Sequence, residues 1–199
     1  MAERATGPTG LEALTKAAAA SQGEGRRLPP VQSWNPPFCG DIDMRIARDG
    51  TWFYMGSPIG RAPLVRLFST ILRKDPDRYV LVTPVERVGI RVDDAPFLAV
   101  EMKVGEGAQG RELAFRTNVD DWTVAGPDHP MRFEEGDSEG LKPYVHVRDG
   151  LWALVKRALF YDLAALGEVR DVEGVAMFGV VSRGAFFAMQ RADEAGVQG

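Results

Sequence analysis

One cysteine, Cys39, and two histidines, His129 and His146, are all that a chain of 199 residues offers to redox, metal and near-neutral proton chemistry. A lone cysteine cannot close an intrachain disulfide, and Cys39 reads as a small buried hydrophobe. The two histidines are separated along the chain, so structural places are expected for both rather than a metal site or an acid–base pair. Long apolar runs are missing too: none approaches the roughly 20 residues of a membrane-spanning helix. The opening MAERATGPTG has no apolar signal core, which makes a cytoplasmic location the expectation. Positive charge is not in excess. With 24 Lys and Arg against 28 Asp and Glu, a net charge of −4 and a pI near 5.3, neither a nucleic acid polymer nor an anionic membrane is an expected partner.

Chemical signatures are equally sparse. GSPIGR, residues 56–61, lacks the GK[ST] of a phosphate loop. The paired acids Asp41 and Asp43, Asp93 and Asp94, and Asp120 and Asp121 have no histidine in their neighbourhood and read as turn or edge residues. No cofactor and no catalytic residue is therefore expected.

What is present is the pattern of a globular α+β protein: 45% hydrophobic and 26% charged residues, in a chain long enough to bury about 70% of its unfolded surface. Residues 1–33 read as a helix through Leu11, Leu14 and Ala18, stopped by Gly23 and Gly25, and then a linker. DIDMRIA alternates as a strand, Arg48-Asp49-Gly50 turns, and TWFYMG returns. PLVRLFSTILRK, residues 63–74, has the stripe of a helix through Leu64, Leu67, Phe68, Ile71 and Leu72. YVLVTP, ERVGIRVDD, PFLAVEMKV and RELAFRTN read as strands of an antiparallel meander, followed by MRFE and KPYVHV. LWALVKRALFYDLAAL reads as the strongest helix, striped through Trp152, Val155, Leu159, Leu163 and Leu166, with Asp149 as its cap and Gly167 at its end. The last hairpin turns at Ser182-Arg183-Gly184.

RDGTW at 48–52 and RDGLW at 148–152 look like one unit used twice, but on this reading the first turns between strands and the second opens a helix. A better internal register lays MRIARDGTWFYM beside MRFEEGDSEGLKPYVHV, with Tyr54 against Tyr144, Leu64-Val65-Arg66 against Leu154-Val155-Lys156, and Arg87 against Arg183. The expected architecture is two related lobes from an internal duplication, residues 34–117 and 118–199. Each is mostly antiparallel strands with one main helix.

Residues 34–97 resemble a bacterial family known as domain of unknown function 1285. The likeness is carried by WNPPF, GDIDMRIARDGTWFYMGSPIGR, PLVRLFSTIL, YVLVTPVERVGI and RVDDAPF. The resemblance implies a duplicated α+β protein whose C-terminal lobe is superficially pleckstrin-homology-like. It also implies a signalling role with a nucleotide-like ligand between the two parts. It supplies no catalytic residues.

Two polar interruptions in apolar elements stand out as candidate contacts. GSPIGR enters a helix through Arg61, with Arg66 one turn on, where free N–H groups and guanidinium groups hold anions. VTPVER breaks two strands at Thr83-Pro84 and offers Glu86 and Arg87. Trp34, in its proline-rich lead-in, and Trp52 are candidate walls. The leading expectation is non-catalytic binding of a small anionic or nucleotide-like ligand between the lobes, serving signal transduction. A protein-interaction adaptor is the alternative, and a hydrolase of a nucleotide-like substrate the third.

Overall fold

A computed structural model describes residues 10–22, 28–136 and 140–196. Its contacts divide the chain into two units, Met1–Pro96 and Phe97–Gly199. Helix α1 is Leu11–Ala20. A 3₁₀ turn at Val31–Ser33 leads to β1 (Phe38–Ile46), β2 (Trp52–Tyr54), β3 (Ser57–Pro58), α2 (Ala62–Thr70), β4 (Leu72–Lys74), β5 (Tyr79–Val82) and β6 (Arg87–Val92). The second unit holds β7 (Phe97–Gly107), β8 (Gly110–Thr117), β9 (Trp122–Val124), β10 (Met131–Gly136), β11 (Gly140–Arg148) and β12 (Leu151–Val155). Helix α3 (Arg157–Ala165), β13 (Glu168–Val172), β14 (Val175–Ser182) and β15 (Ala185–Arg191) complete it. No helix among the described residues is long and apolar enough to cross a membrane.

The first sheet runs β3-β2-β1-β6-β5-β4, with β1 and β6 a parallel central pair. The second runs β9-β8-β7-β12-β11-β10, with β7 and β12 parallel at its centre. Three strands wind outward from the centre and three wind back in, the same way in both. The duplication is therefore real at the level of topology, but its register differs from the one read in the sequence. β1 corresponds to β7, not β10, so residues 38–92 match 97–155. The boundary drawn at 117/118 falls inside what the structure keeps together. β7 and β8, placed in the first lobe by proximity, pair with β12 and β9 of the second unit. The Arg87–Arg183 correspondence fails for the same reason, because Arg183 lies in the three-stranded sheet β13-β14-β15 that follows the second copy.

Two helices are shorter than their periodicity suggests. Leu72 leaves α2 to start β4. LWALV is strand β12, with Leu151, Ala153 and Val155 alternately buried, and only Arg157–Ala165 is helical. Asp149 and Gly150, at φ +43° and +76°, form a two-residue hairpin turn whose positive dihedrals suit glycine and are tolerated by aspartate. Asp149 thus turns a hairpin and caps no helix, and both RDG sequences lie in strand-to-strand turns. The last hairpin turns as expected, at Arg183 and Gly184.

In the first unit Trp52 stacks on Phe68 at 6.3 Å, above Met44, Ile46, Leu81 and Val88. Helix α1 docks through Leu14 and Ala18, and Gln22 Nε2 donates to Thr70 Oγ1 at 2.7 Å. In the second unit Phe97, Leu113, Phe115, Leu151 and Val180 are buried. Ser182 fastens β14 to the sheet. Its buried hydroxyl accepts the Leu113 N–H at 2.9 Å and donates to the Ala125 carbonyl at 2.7 Å.

Candidate functional site

The residues singled out by sequence do not converge. Arg61 is exposed at the N-cap of α2, and Arg66 lies on that helix's exposed surface. Thr83 is fully buried, its hydroxyl accepting the Glu86 N–H at 3.2 Å while its own N–H donates to the Glu86 carbonyl at 2.9 Å. That pair closes a turn and presents no hydroxyl to a ligand. Trp52 is 1% exposed and belongs to the core, so it walls no site. Arg87 donates to Asp75 at 3.1 Å, and its guanidinium lies 5.9 Å from the Phe38 ring centre.

Strand alternation explains the separation. Trp52, which carries α2 through Phe68, pairs opposite Ile46, and Ile46 pairs opposite Val92. Arg87 is an odd number of positions from Val92 along β6, so its side chain leaves by the other face. The first unit therefore places Arg61 and Arg66 with α2 on one side and Arg87 on the other.

What Arg87 joins is structural. Arg73 is 7% exposed. Its Nε donates to Asp75 at 2.7 Å, and its Nη1 donates to the carbonyls of Val31 at 2.9 Å and Trp34 at 2.8 Å. Trp34 is half-buried, its carbonyl held by that arginine. Cys39 is exposed rather than buried, its thiol 3.6 Å from the Pro37 carbonyl.

The two histidines, distant along the chain, are brought together by the β10–β11 hairpin. Met131 pairs with Val145 and the His146 N–H donates to the Pro130 carbonyl, which leaves the two rings stacked 5.5 Å apart. His146 Nε2 accepts the Gly150 N–H at 3.2 Å, and its ring meets Trp152 edge-on at 5.2 Å. Burial, and then the charge of His129, hold the His146 pKa below the ordinary 6.5, against opposing pulls from the Asp128 backbone and Asp149. A histidine with a depressed folded pKa stays neutral longer in the folded chain, so the unfolded chain binds more protons as pH drops below 6.5. The stability this gives is present above that value and lost as pH falls toward the folded pKa. Unfolding midpoints of the second unit should fall as pH is lowered from above to below the ordinary 6.5, and His146→Gln should flatten the slope. An unchanged slope in the variant would assign the dependence elsewhere.

The more promising site lies beside α3. Arg157, Phe160, Tyr161 and Ala164 are spaced i, i+3, i+4 and i+7, so they share one helix face. Leu163 is the only buried residue of α3, and Tyr161 is 62% exposed. The Arg157 guanidinium lies 5.4 Å from the Phe160 ring centre and 5.2 Å from that of Tyr161, and its Nε donates to the Tyr161 hydroxyl at 3.3 Å. Opposite stand Phe178 of β14 and Met189 and Gln190 of β15, enclosing a cavity of about 430 Å³. Gly167 makes the wall possible, since a Cβ there would collide with the Phe178 ring.

Among the described residues Arg157 has no carboxylate within ion-pair distance. It is a cation held by two rings at the edge of an apolar hollow. Its spacing to Phe160 and Tyr161 was visible in the sequence. Of the apolar stripe, Leu159, Leu163 and Leu166 mark the face that Leu163 buries, while Trp152 and Val155 belong to β12 and not to the helix.

Residues 29–95 match the profile described as domain of unknown function (DUF1285), N-terminal domain, and residues 96–189 match that of the DUF1285 C-terminal domain. The junction of the two profiles falls within a residue of the division seen in the structure. A crystal structure of a DUF1285 family protein from Silicibacter pomeroyi DSS-3 is 50% identical, with a TM-score of 0.82, over 92% of this chain and 97% of that one. Another, from Shewanella baltica OS155, is 29% identical with a TM-score of 0.48, over 61% of this chain and 89% of that one. A search of curated proteins finds no match.

Proposed function

The chain belongs to the DUF1285 family, and on that premise we propose that it is a non-catalytic binding protein whose second unit takes a small, ring-bearing anion in the cavity beside α3. The observation that carries this reading is Arg157, oriented by Phe160 and Tyr161 and without a carboxylate partner among the described residues. A guanidinium in that state is available to a phosphate or carboxylate, and the surrounding rings suit a planar apolar body. A volume of about 430 Å³ is in the range of small-ligand pockets. Among the described residues the lining offers a guanidinium, an amide and a phenol but no carboxylate, imidazole or thiol to act as base or nucleophile, which favours binding over turnover. On this reading the chain senses its ligand, in keeping with a role in signal transduction.

The test is thermal unfolding against AMP, cyclic dinucleotides, indole-3-acetate and inorganic phosphate. A ligand at a hundred times its dissociation constant adds about 2.7 kcal/mol to the stability of the unit that binds it. Arg157→Ala should weaken a ring-bearing anion by about ten- to a hundredfold, the worth of a hydrogen bond to a charged group. Arg61→Ala and Arg87→Ala should leave it unchanged. Hits indifferent to Arg157, or no hits at all, would remove the proposal.

A further inference from the structure

Resting on that binding reading, we infer that the ligand is dipolar: a small molecule with a cationic arm, a primary amine or guanidinium, in addition to its anionic ring-bearing end. The hollow beside α3 has another next to it. It shares Gly140, Leu141, Met189 and Gln190 with a second hollow of about 550 Å³ toward β10 and the end of β15. That second space has a different charge. Its walls carry Glu135 and Glu194, and among the described residues neither carboxylate has a cation within ion-pair distance. Arg191, which also lines it, is occupied at 3.1 Å by Asp193.

Two adjoining hollows therefore hold, among the described residues, a cation without an ion-pair partner in one and two carboxylates without one in the other, with Leu141, Met189 and Gln190 lining both. Phe133 and Met177 line the second hollow and Met189 lines both, and a ring face with polarisable thioethers suits the stem and head of a cationic arm. A purely anionic ligand would satisfy Arg157 and stop short of the second hollow. If longer, it would bring its charge toward Glu135 and Glu194. Charge complementarity selects the dipolar molecule, its anion at Arg157 and its cation at the glutamates.

The experiment is calorimetric titration of the full chain with three probes: N-acetyl-lysyl-phenylalanine, N-acetyl-norleucyl-phenylalanine and the C-terminal amide of the first. They share a ring and a backbone, and differ in the arm charge or the carboxylate. The lysyl probe should bind at least tenfold tighter than the norleucyl probe, with an advantage that shrinks as salt is raised. Glu135→Gln combined with Glu194→Gln should erase that advantage without weakening the norleucyl probe, and Arg157→Ala should weaken both acids and leave the amide unaffected. Equal binding of the two acids, both still dependent on Arg157, overturns the cationic arm while the anion site stands. Failure of all three probes to bind overturns both. An advantage that survives the double glutamate variant also overturns the inference, since the arm would then be read elsewhere.

Discussion

Arg73→Met should cost the first unit about 3–4 kcal/mol, near the range for removing one partner from a buried ion pair. Arg73 and Asp75 have side chains only 8% and 15% exposed, and Arg73 makes three directed hydrogen bonds. Methionine fills a similar volume but donates nothing. It strands the buried Val31 carbonyl and the Trp34 carbonyl, and an orphaned buried acceptor costs about 1–3 kcal/mol. Asp75 is not left alone, because Arg87 still reaches it at 3.1 Å, and that keeps the loss toward the lower end of the range. Arg73→Lys should rescue little, since one ammonium cannot reproduce the fork that serves a carboxylate and two carbonyls at once. Hydrogen exchange across residues 28–96 with urea unfolding reads the result. A loss under about 1 kcal/mol would show that the proline-rich lead-in is held by packing alone.

The elements most faithfully announced were those decided by neighbours in sequence. Met44 and Ile46 alternate and are buried. Arg183 and Gly184 mark a hairpin, and Leu64 and Phe68 share the buried face of α2. The segment 151–155 was ambiguous because Trp152, Val155 and Leu159 satisfy helical spacing while Leu151, Ala153 and Val155 satisfy alternation. Asp149-Gly150 tips the balance, since a two-residue turn with positive dihedrals commits the chain to a strand on each side. The central pairings β1 with β6 and β7 with β12 are non-local, and alternation of side chains carries no information about which distant strand lies alongside. The site suffered from the same limit. Arg61 and Arg87 looked like partners by their chemistry, but the face each side chain takes depends on the pairing of β1 with β2 and β6. The surroundings of Arg157, with no carboxylate in reach among the described residues, and the Phe178 ring against Gly167 exist only once β14 is packed beside α3.

Gly179→Ala is the substitution on which propensity and structure disagree most sharply. Within a strand, alanine is better than glycine by about 0.5–1 kcal/mol, because glycine loses more backbone freedom on folding. Gly179 sits where the ladder slips. Phe178 pairs with Gln190 and Gly179 with Ala188, so Met189 is the extra residue of a bulge and the β15 backbone bends in close. A Cβ on residue 179 would collide with the Phe187 carbonyl oxygen and lie 2.9 Å from Ala188 Cα and 2.7 Å from Phe186 Cζ. Two of the three obstacles are backbone, so rotating a side chain cannot relieve them. Overpacking of this kind costs about 1–3 kcal/mol, and a clash with a paired strand belongs at the upper end. The clash therefore wins, and Gly179→Ala should destabilise the second unit by about 2 kcal/mol net. Gly105→Ala, the same chemical change on β7 with nothing within 4 Å, is the control and should be neutral or mildly stabilising. Urea unfolding of both variants, followed through hydrogen exchange in β14 and β15, distinguishes the two effects. If both substitutions stabilise equally, the bulge at Met189 yields without cost. Because Met189 also lines the cavity beside α3, ligand binding should weaken in Gly179→Ala and stay intact in Gly105→Ala.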